Sequence, residues 1–287
     1  MGIAHEECES NVFQGPAIGS RLMSATQYQD ISYEVLGPVA RICHARPQQR
    51  NAEGTRLLDE LDDALQAAKR DESVRVVIVG GQGEHFCAGH DVKEAMGRPD
   101  IVEVRYAYEE EKYLGYCLRL WDFPKPTIAQ VQGACIAAGF MVANMCDLVV
   151  AADDAYFSDP TCITLASAAT EVLVHPWVLG LRTAKEFLYT GRKMLADEAY
   201  RIGMVNRVVP RSELETATLA LANDIAKAPP VAIKLLKRSL NKTADIQGFR
   251  NAIQGHFDLH ELCHTTQEYK AVRAGGLAAT IEKTKRV

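Results

Sequence analysis

His260-Glu261-Leu262-Cys263-His264 has HExxH spacing, and His256 stands one turn earlier on the same stripe. On a helix this spacing turns two imidazoles to one side with a carboxylate between them, the arrangement a zinc peptidase uses. The competing reading, which is preferred, is a polar stripe on a C-terminal packing helix. The only near carboxylate downstream is Glu268, a single turn beyond His264. With no third ligand in reach, the sequence predicts no stoichiometric metal.

Gly80-Gly81-Gln82-Gly83-Glu84-His85-Phe86 follows a strand-like run but places Phe86 where a dinucleotide fingerprint needs its third glycine. It reads as a structural loop. No G-x-S-x-G, P-loop or EF-hand pattern is present, which removes the common serine-hydrolase, NTPase and calcium readings.

Two small-residue turns carry more. One is Phe86-Cys87-Ala88-Gly89-His90-Asp91, and the other is Gln132-Gly133-Ala134-Cys135-Ile136-Ala137-Ala138-Gly139. Small side chains let a ligand approach the backbone. A helix starting near Ala138 would aim unpaired N–H groups and its positive end into that space. Such a pair of turns can build an oxyanion hole for a thioester carbonyl.

The elements that must hold these turns follow from periodicity. Residues 1–27 show none and read as an N-terminal extension. Strand-like segments follow at 31–36 and 39–45, then an amphipathic helix carrying Leu57, Leu58, Leu61, Leu65 and Ala68 on one face. VRVVIVGG (74–81) predicts a buried strand, 101–121 a long helix stopped at Phe123-Pro124, and MVNRVV (204–209) a last strand. Alternating strands and helices predict an α/β core with parallel strands over 28–210. Helices at 213–227, 230–240 and 246–270 make the remaining stretch, 211–287, a helical region.

The chain has 287 residues, 47% hydrophobic and 24% charged, with a net charge of −5. That composition suits a globular protein and argues against a nucleic-acid footprint. No apolar run reaches the ~18–20 residues of a membrane span, and the acidic start does not resemble a secretory signal. The eight cysteines form no CxxC pair, as expected for reduced thiols. The expected location is the cytoplasm.

Four segments together resemble the crotonase (enoyl-CoA hydratase/isomerase) superfamily. Arg46-Pro47-Gln48-Gln49-Arg50-Asn51-Ala52 looks like its RPxxxNA element, and FCAGHDVKE (86–94) like its F-x-A-G-x-D segment. KPTIAQVQGACIAAGFMVANMCDLVVAADDAYFSDP (125–160) and YTGRKMLADEAYRIGMVNRVVP (189–210) resemble two further family segments. They follow in family order across roughly 28–287. The resemblance implies a crotonase-like spiral of ββα units, C-terminal helices that build a homotrimer or dimer of trimers, and an acyl-CoA substrate. No cofactor beyond that CoA is implied. Carried over by position, the backbone N–H groups of His90 and Ala138 form the oxyanion hole. Ala88 and the turn around Arg46 flank CoA, and Lys283 reaches it from a neighbouring subunit. The aromatic residue that relatives carry three positions before this lysine is Thr280 here.

The departures bear on the reaction. The two glutamates of family hydratases are replaced by Met141 and Thr161. A positioned acid or base contributes ~10²–10⁴ in rate, so water addition by paired glutamates is impaired. Glu171, read as the start of a helix with His175 one turn on, is the preferred replacement, close to where some relatives place a catalytic aspartate. Its other reading is a helix N-terminal charge. Asp159 is a second candidate, although an Asp before Pro160 commonly stabilises a turn. The His90 side chain is a third. The expectation is an acyl-CoA enzyme, provisionally hydratase-like. The rivals are a relative that binds acyl-CoA without turnover, an isomerase or decarboxylase variant, and the HExxH peptidase.

Overall fold

The computed structural model describes residues 28–276. Its main sheet has six strands: β1 (Ile31–Leu36), β2 (Val39–His44), β3 (Val76–Gly81), β4 (Thr127–Val131), β6 (Leu148–Ala152) and β9 (Arg207–Val209), paired in that order. Only β1 runs antiparallel to its neighbour. A smaller sheet joins β5 (Ala134–Ile136), β7 (Tyr156–Ser158) and β8 (Met194–Leu195).

The continuous apolar runs of β3, β4 and β6 are explained by burial on both faces. Val77 and Val79 of β3, Ala129 and Val131 of β4 and Ala151 of β6 face one core, with Leu57, Leu61 and Phe86. Val76, Ile78, Ile128 and Val150 face a second core, closed by Leu214 and Ala222 of the Leu214–Ala226 helix. Successive strand residues alternate faces, so a sheet covered on both sides has no polar alternation to show.

Two sequence expectations need amendment. The helix expected over 101–121 is an α-helix, Val102–Glu109, a π-helical turn, Glu110–Gly115, and a second α-helix, Tyr116–Trp121. The helix expected over 246–270 is two helices, Phe249–Cys263 and Gln267–Ala274, with Thr266 capping the second by accepting from Tyr269 N–H. Phe249, Ile253 and Phe257 of the first join the main core and fix its register against the α/β body.

His44 closes β2, fully buried, with neither ring nitrogen hydrogen-bonded among the described residues and its ring 5.6 Å from Phe86. Burial pulls its pKa down to about 4. The folded state therefore resists a proton that the unfolded chain accepts near pH 6.5. Stability should fall as pH drops from about 6.5 to about 4, by about 3 kcal/mol from this group, and level off below. Urea unfolding of wild type and His44→Phe across this range tests it. An identical acid limb in both proteins would show that His44 does not drive the loss.

Candidate active site

The two small-residue turns meet. Cys87 N–H donates to Ala134 O at 3.0 Å and Ile136 N–H to Cys87 O at 2.9 Å. Gly139 sits so close to this contact that an added Cβ would lie 2.8 Å from Cys87 O. Gly89, at φ +98°, packs on Ile136 and Ala137 in the same way. This close approach gives the glycines and alanines of both turns a physical reason.

Ala138 opens the Ala138–Met145 helix. Among the described residues, neither its N–H nor that of His90 donates to a protein acceptor. The residue before it, Ala137, is held at φ 51°, ψ −110°. That region belongs to glycine, and an alanine there stores strain of ~1–3 kcal/mol. Ala137→Gly should raise stability by about 1 kcal/mol after the entropy lost to glycine. This corresponds to about 2–4 °C in thermal midpoint. A lower midpoint would mean that the alanine conformation is not strained.

The turn carrying His90 is clamped from behind. Glu53 N–H donates to Gly89 O, and Asp91 N–H to Glu53 O, both at 2.9 Å. Arg46 donates to Asp91 at 2.9 Å and to Ala52 O, while Ala88 N–H donates to Arg50 O. The Arg46 guanidinium is thus committed to holding the His90 turn. Ala88 and the backbone of 46–52 remain together as the surface expected to flank CoA. Lys283 and Thr280 lie outside the described residues.

Glu171 differs from expectation in setting. It lies in the irregular segment between the Thr161–Leu165 and His175–Leu179 helices, not at a helix start. Its partner is not His175. Both Glu171 oxygens face His90 Nε2, at 3.0 and 3.1 Å. His175 instead points into the core, stacked on Phe140 at 4.5 Å, with Nε2 3.2 Å from Asp159. The irregular loop bends Glu171 away from the stripe that helical spacing assumed.

Asp159 is fully buried, and both its oxygens are occupied. Oδ1 accepts from Thr161 N–H and Oγ1, and Oδ2 from Thr170 N–H and Oγ1. It holds the turn that carries Thr161 and does not line the cavity, so its place as an acid/base candidate is withdrawn. Met141 is buried, with its sulfur accepting from Val172 N–H at 3.3 Å.

A cavity of roughly 110 Å³ opens beside these groups, lined by His90, Tyr113, Thr161, Glu171, Glu109 and His260 among others. The His90 ring stacks on Tyr113 at 3.7 Å, and its Nδ1 lies 4.0 Å from Glu53. Burial alone would lower the His90 pKa, but Glu171 and then Glu53 raise it. Burial would raise that of Glu171, but His90, followed by His260, holds it well below the usual range. Glu53 is pushed up by burial, to about 7. Both shifts favour the charged forms of the facing pair, which lies beside two unpaired backbone N–H groups.

Sequence reasoning missed Glu53, Glu109, Tyr113 and His260 as neighbours of this pair. Nothing in the sequence marks the π-helical turn that brings Tyr113 and Glu109 to the cavity, and the spacing around His260 points only to a peptidase motif or a polar packing stripe. Metal-ligating side chains gather in two places among the described residues, Glu109–His260–Glu261–His264 and His44–Glu53–Cys87.

Two backbone turns thus abut above the sheet, and the His90–Glu171 contact lies beside them. The enoyl-CoA hydratase/isomerase family model matches residues 35–287, and the chain belongs to that family. EchA13 of Mycobacterium tuberculosis, which carries the name of an enoyl-CoA hydratase, is 39% identical over 86% of this chain and 84% of its own. A probable enoyl-CoA hydratase from Mycobacterium smegmatis is 46% identical, with TM-score 0.78 over 82% of this chain and 94% of its own. An enoyl-CoA hydratase/isomerase from Xanthobacter autotrophicus Py2 reaches TM-score 0.85 at 34% identity, covering 91% of this chain and 99% of its own. The crotonase fold read from the sequence is the fold observed. No helix among the described residues is long and apolar enough to cross a membrane.

Proposed function

We propose that this protein converts an acyl-CoA thioester through an enolate, in a hydratase-like reaction. The backbone N–H groups of His90 and Ala138 receive the thioester oxygen, and the His90–Glu171 pair moves the proton. The observation that carries this reading is the His90–Glu171 contact at 3.0 Å, beside the abutting turns. In hydration, Glu171 takes a proton from water as its oxygen bonds to the β-carbon. His90 gives a proton to the α-carbon, and transfer from Glu171 to His90 restores the pair. One acid and one base in contact thus stand in for the two glutamates replaced by Met141 and Thr161. The same contact also suits an isomerase, since a 1,3-proton shift needs a single acid/base unit. Neither reaction calls on a cofactor beyond the CoA of the substrate, and the proposed setting is the cytoplasm.

Steady-state turnover on a panel of enoyl-CoA thioesters of varied chain length tests the proposal. Hydration and isomerisation are told apart by their products. Tight binding with no turnover on any member would favour an acyl-CoA-binding role instead.

We propose a homotrimer or dimer of trimers as the working form. The Pro230–Ile246 helix supports this with a row of exposed apolar residues, including Val231, Leu235, Leu236 and Leu240. Light scattering at micromolar protein should give three or six chains per particle, and a clean monomer would rule the proposal out.

A further inference from the structure

The last turn of the Phe249–Cys263 helix carries His260 and Glu261, and His264 follows directly. Folding brings Glu109 to them from the end of the Val102–Glu109 helix. One ligand atom from each of the four residues lies within 4.8 Å of all the others. Each residue is more than nine-tenths buried. His260 Nε2 is 3.3 Å from Glu109 Oε2, and His264 Nδ1 is 3.8 Å from Glu261 Oε2. Ligands at ~2.0–2.2 Å around a tetrahedral cation stand about 3.3–3.6 Å apart, close to this spacing.

Each of the four residues also presents a buried atom with no hydrogen-bond partner: Glu109 Oε2, His260 Nε2, Glu261 Oε1 and His264 Nδ1. His260 Nε2 lies 3.3 Å from Glu109 Oε2 and 3.6 Å from Glu171 Oε1. Unpaired buried polar atoms are rare in native proteins and call for an ion or water to explain them. Here the four residues that carry them gather in one cluster.

We infer that Glu109, His260, Glu261 and His264 form a binding site for a divalent transition metal of the zinc class on the wall of the acyl cavity. Two imidazoles select such ions over magnesium and calcium, which prefer all-oxygen sites. Two carboxylates balance the charge of a dication. Supporting contacts are in place: Ser167 and Ala169 O lie 3.2 and 2.9 Å from His260 Nδ1, and Arg105 Nε donates to Glu261 Oε2 at 3.3 Å. Such outer contacts orient ligands and fix which ring nitrogen faces the ion. The sequence argued against zinc for want of a third ligand, and Glu109 supplies it from a distant helix. Glu261 acts here as a ligand, whereas in a peptidase it would be the base beside a metal-bound water.

The inference does not depend on the proposed reaction, because uptake is read without substrate. Tag-free protein is stripped with a chelator, exposed to Zn²⁺, desalted and analysed for metal, with circular dichroism confirming the fold. The wild type should retain about one equivalent per chain. Affinity should fall by ~10–100-fold or more in His264→Ala and in Glu109→Gln. His256→Ala should keep full uptake, because His256 Nε2 is engaged with Thr170 O at 2.8 Å. Co²⁺ in place of Zn²⁺ should give the visible absorption of a four-coordinate site, lost in Glu109→Gln. If His264→Ala fails to fold, the near-isosteric Glu109→Gln decides. Negligible retention by the wild type, or equal retention by folded Glu109→Gln, overturns the inference.

Discussion

Glu171→Gln should leave acyl-CoA binding in place while turnover falls by ~10²-fold or more. Glutamine keeps the size and hydrogen bonding of the side chain but cannot take a proton. It also removes the charge that does most to raise the His90 pKa, since Glu171 is the foremost of the groups acting against burial there. The two effects act on the same step, so the loss should appear in kcat and kcat/KM together. Binding measured separately with a non-reacting acyl-CoA should be close to wild type, since glutamine fills the same space. Full turnover in this variant would take Glu171 out of the chemistry and leave His90 to act alone. Thr161→Ala offers the contrast. Thr161 lines the cavity, but its hydroxyl is spent on Asp159, so the change should alter turnover little.

Ala138→Pro removes one of the two N–H donors proposed to receive the thioester oxygen. Proline is tolerated at the first position of a helix, where the N–H has no intrahelical partner. Ala138 is the first residue of its helix, so the change deletes the donor while sparing the helical ladder. Loss of one oxyanion donor typically removes ~2.7–4 kcal/mol of transition-state stabilisation, or about 10²–10³ in rate. The loss should fall mainly on kcat, because the donor matters most when charge builds on the oxygen. Proline also restricts the preceding residue, and Ala137 is already in an unusual conformation. Circular dichroism and acyl-CoA binding are therefore measured alongside. Normal turnover in a folded, binding-competent Ala138→Pro protein would remove this N–H from the mechanism.

Much of the architecture could be read in the residues. The runs around Val77 and Ile128 are apolar on both faces and specify a covered parallel sheet. The glycines and alanines of the two turns mark where backbones must touch. The fate of Glu171 was less legible. Its sequence neighbours suggested a helix start and an i+4 partner in His175, but the loop from Ala166 to Val174 is irregular, and irregular backbone leaves no periodic trace. The contact it makes instead reaches across to His90, and long-range pairing of that kind is set by the fold as a whole. Asp159 was equally open in the sequence, and four donors from Thr161 and Thr170 decide its role.

The π-helical turn at Glu110–Gly115 bears on how the cavity can change over evolutionary time. A π turn holds one residue more than the α turn it replaces, so deleting a single residue there would restore ordinary helical winding and leave the flanking helices on nearly their present faces. Glu109 would stay beside His260, and Tyr106 would keep its edge contact with Phe257, 5.1 Å away. Tyr113, inside the turn, would lose the position that stacks it on His90. A change in chain length, with no substitution at any of these residues, would then redraw one wall of the cavity. Substrate range in such a protein can drift by insertion and deletion in this turn while the oxyanion turns and the sheet beneath them stay as they are.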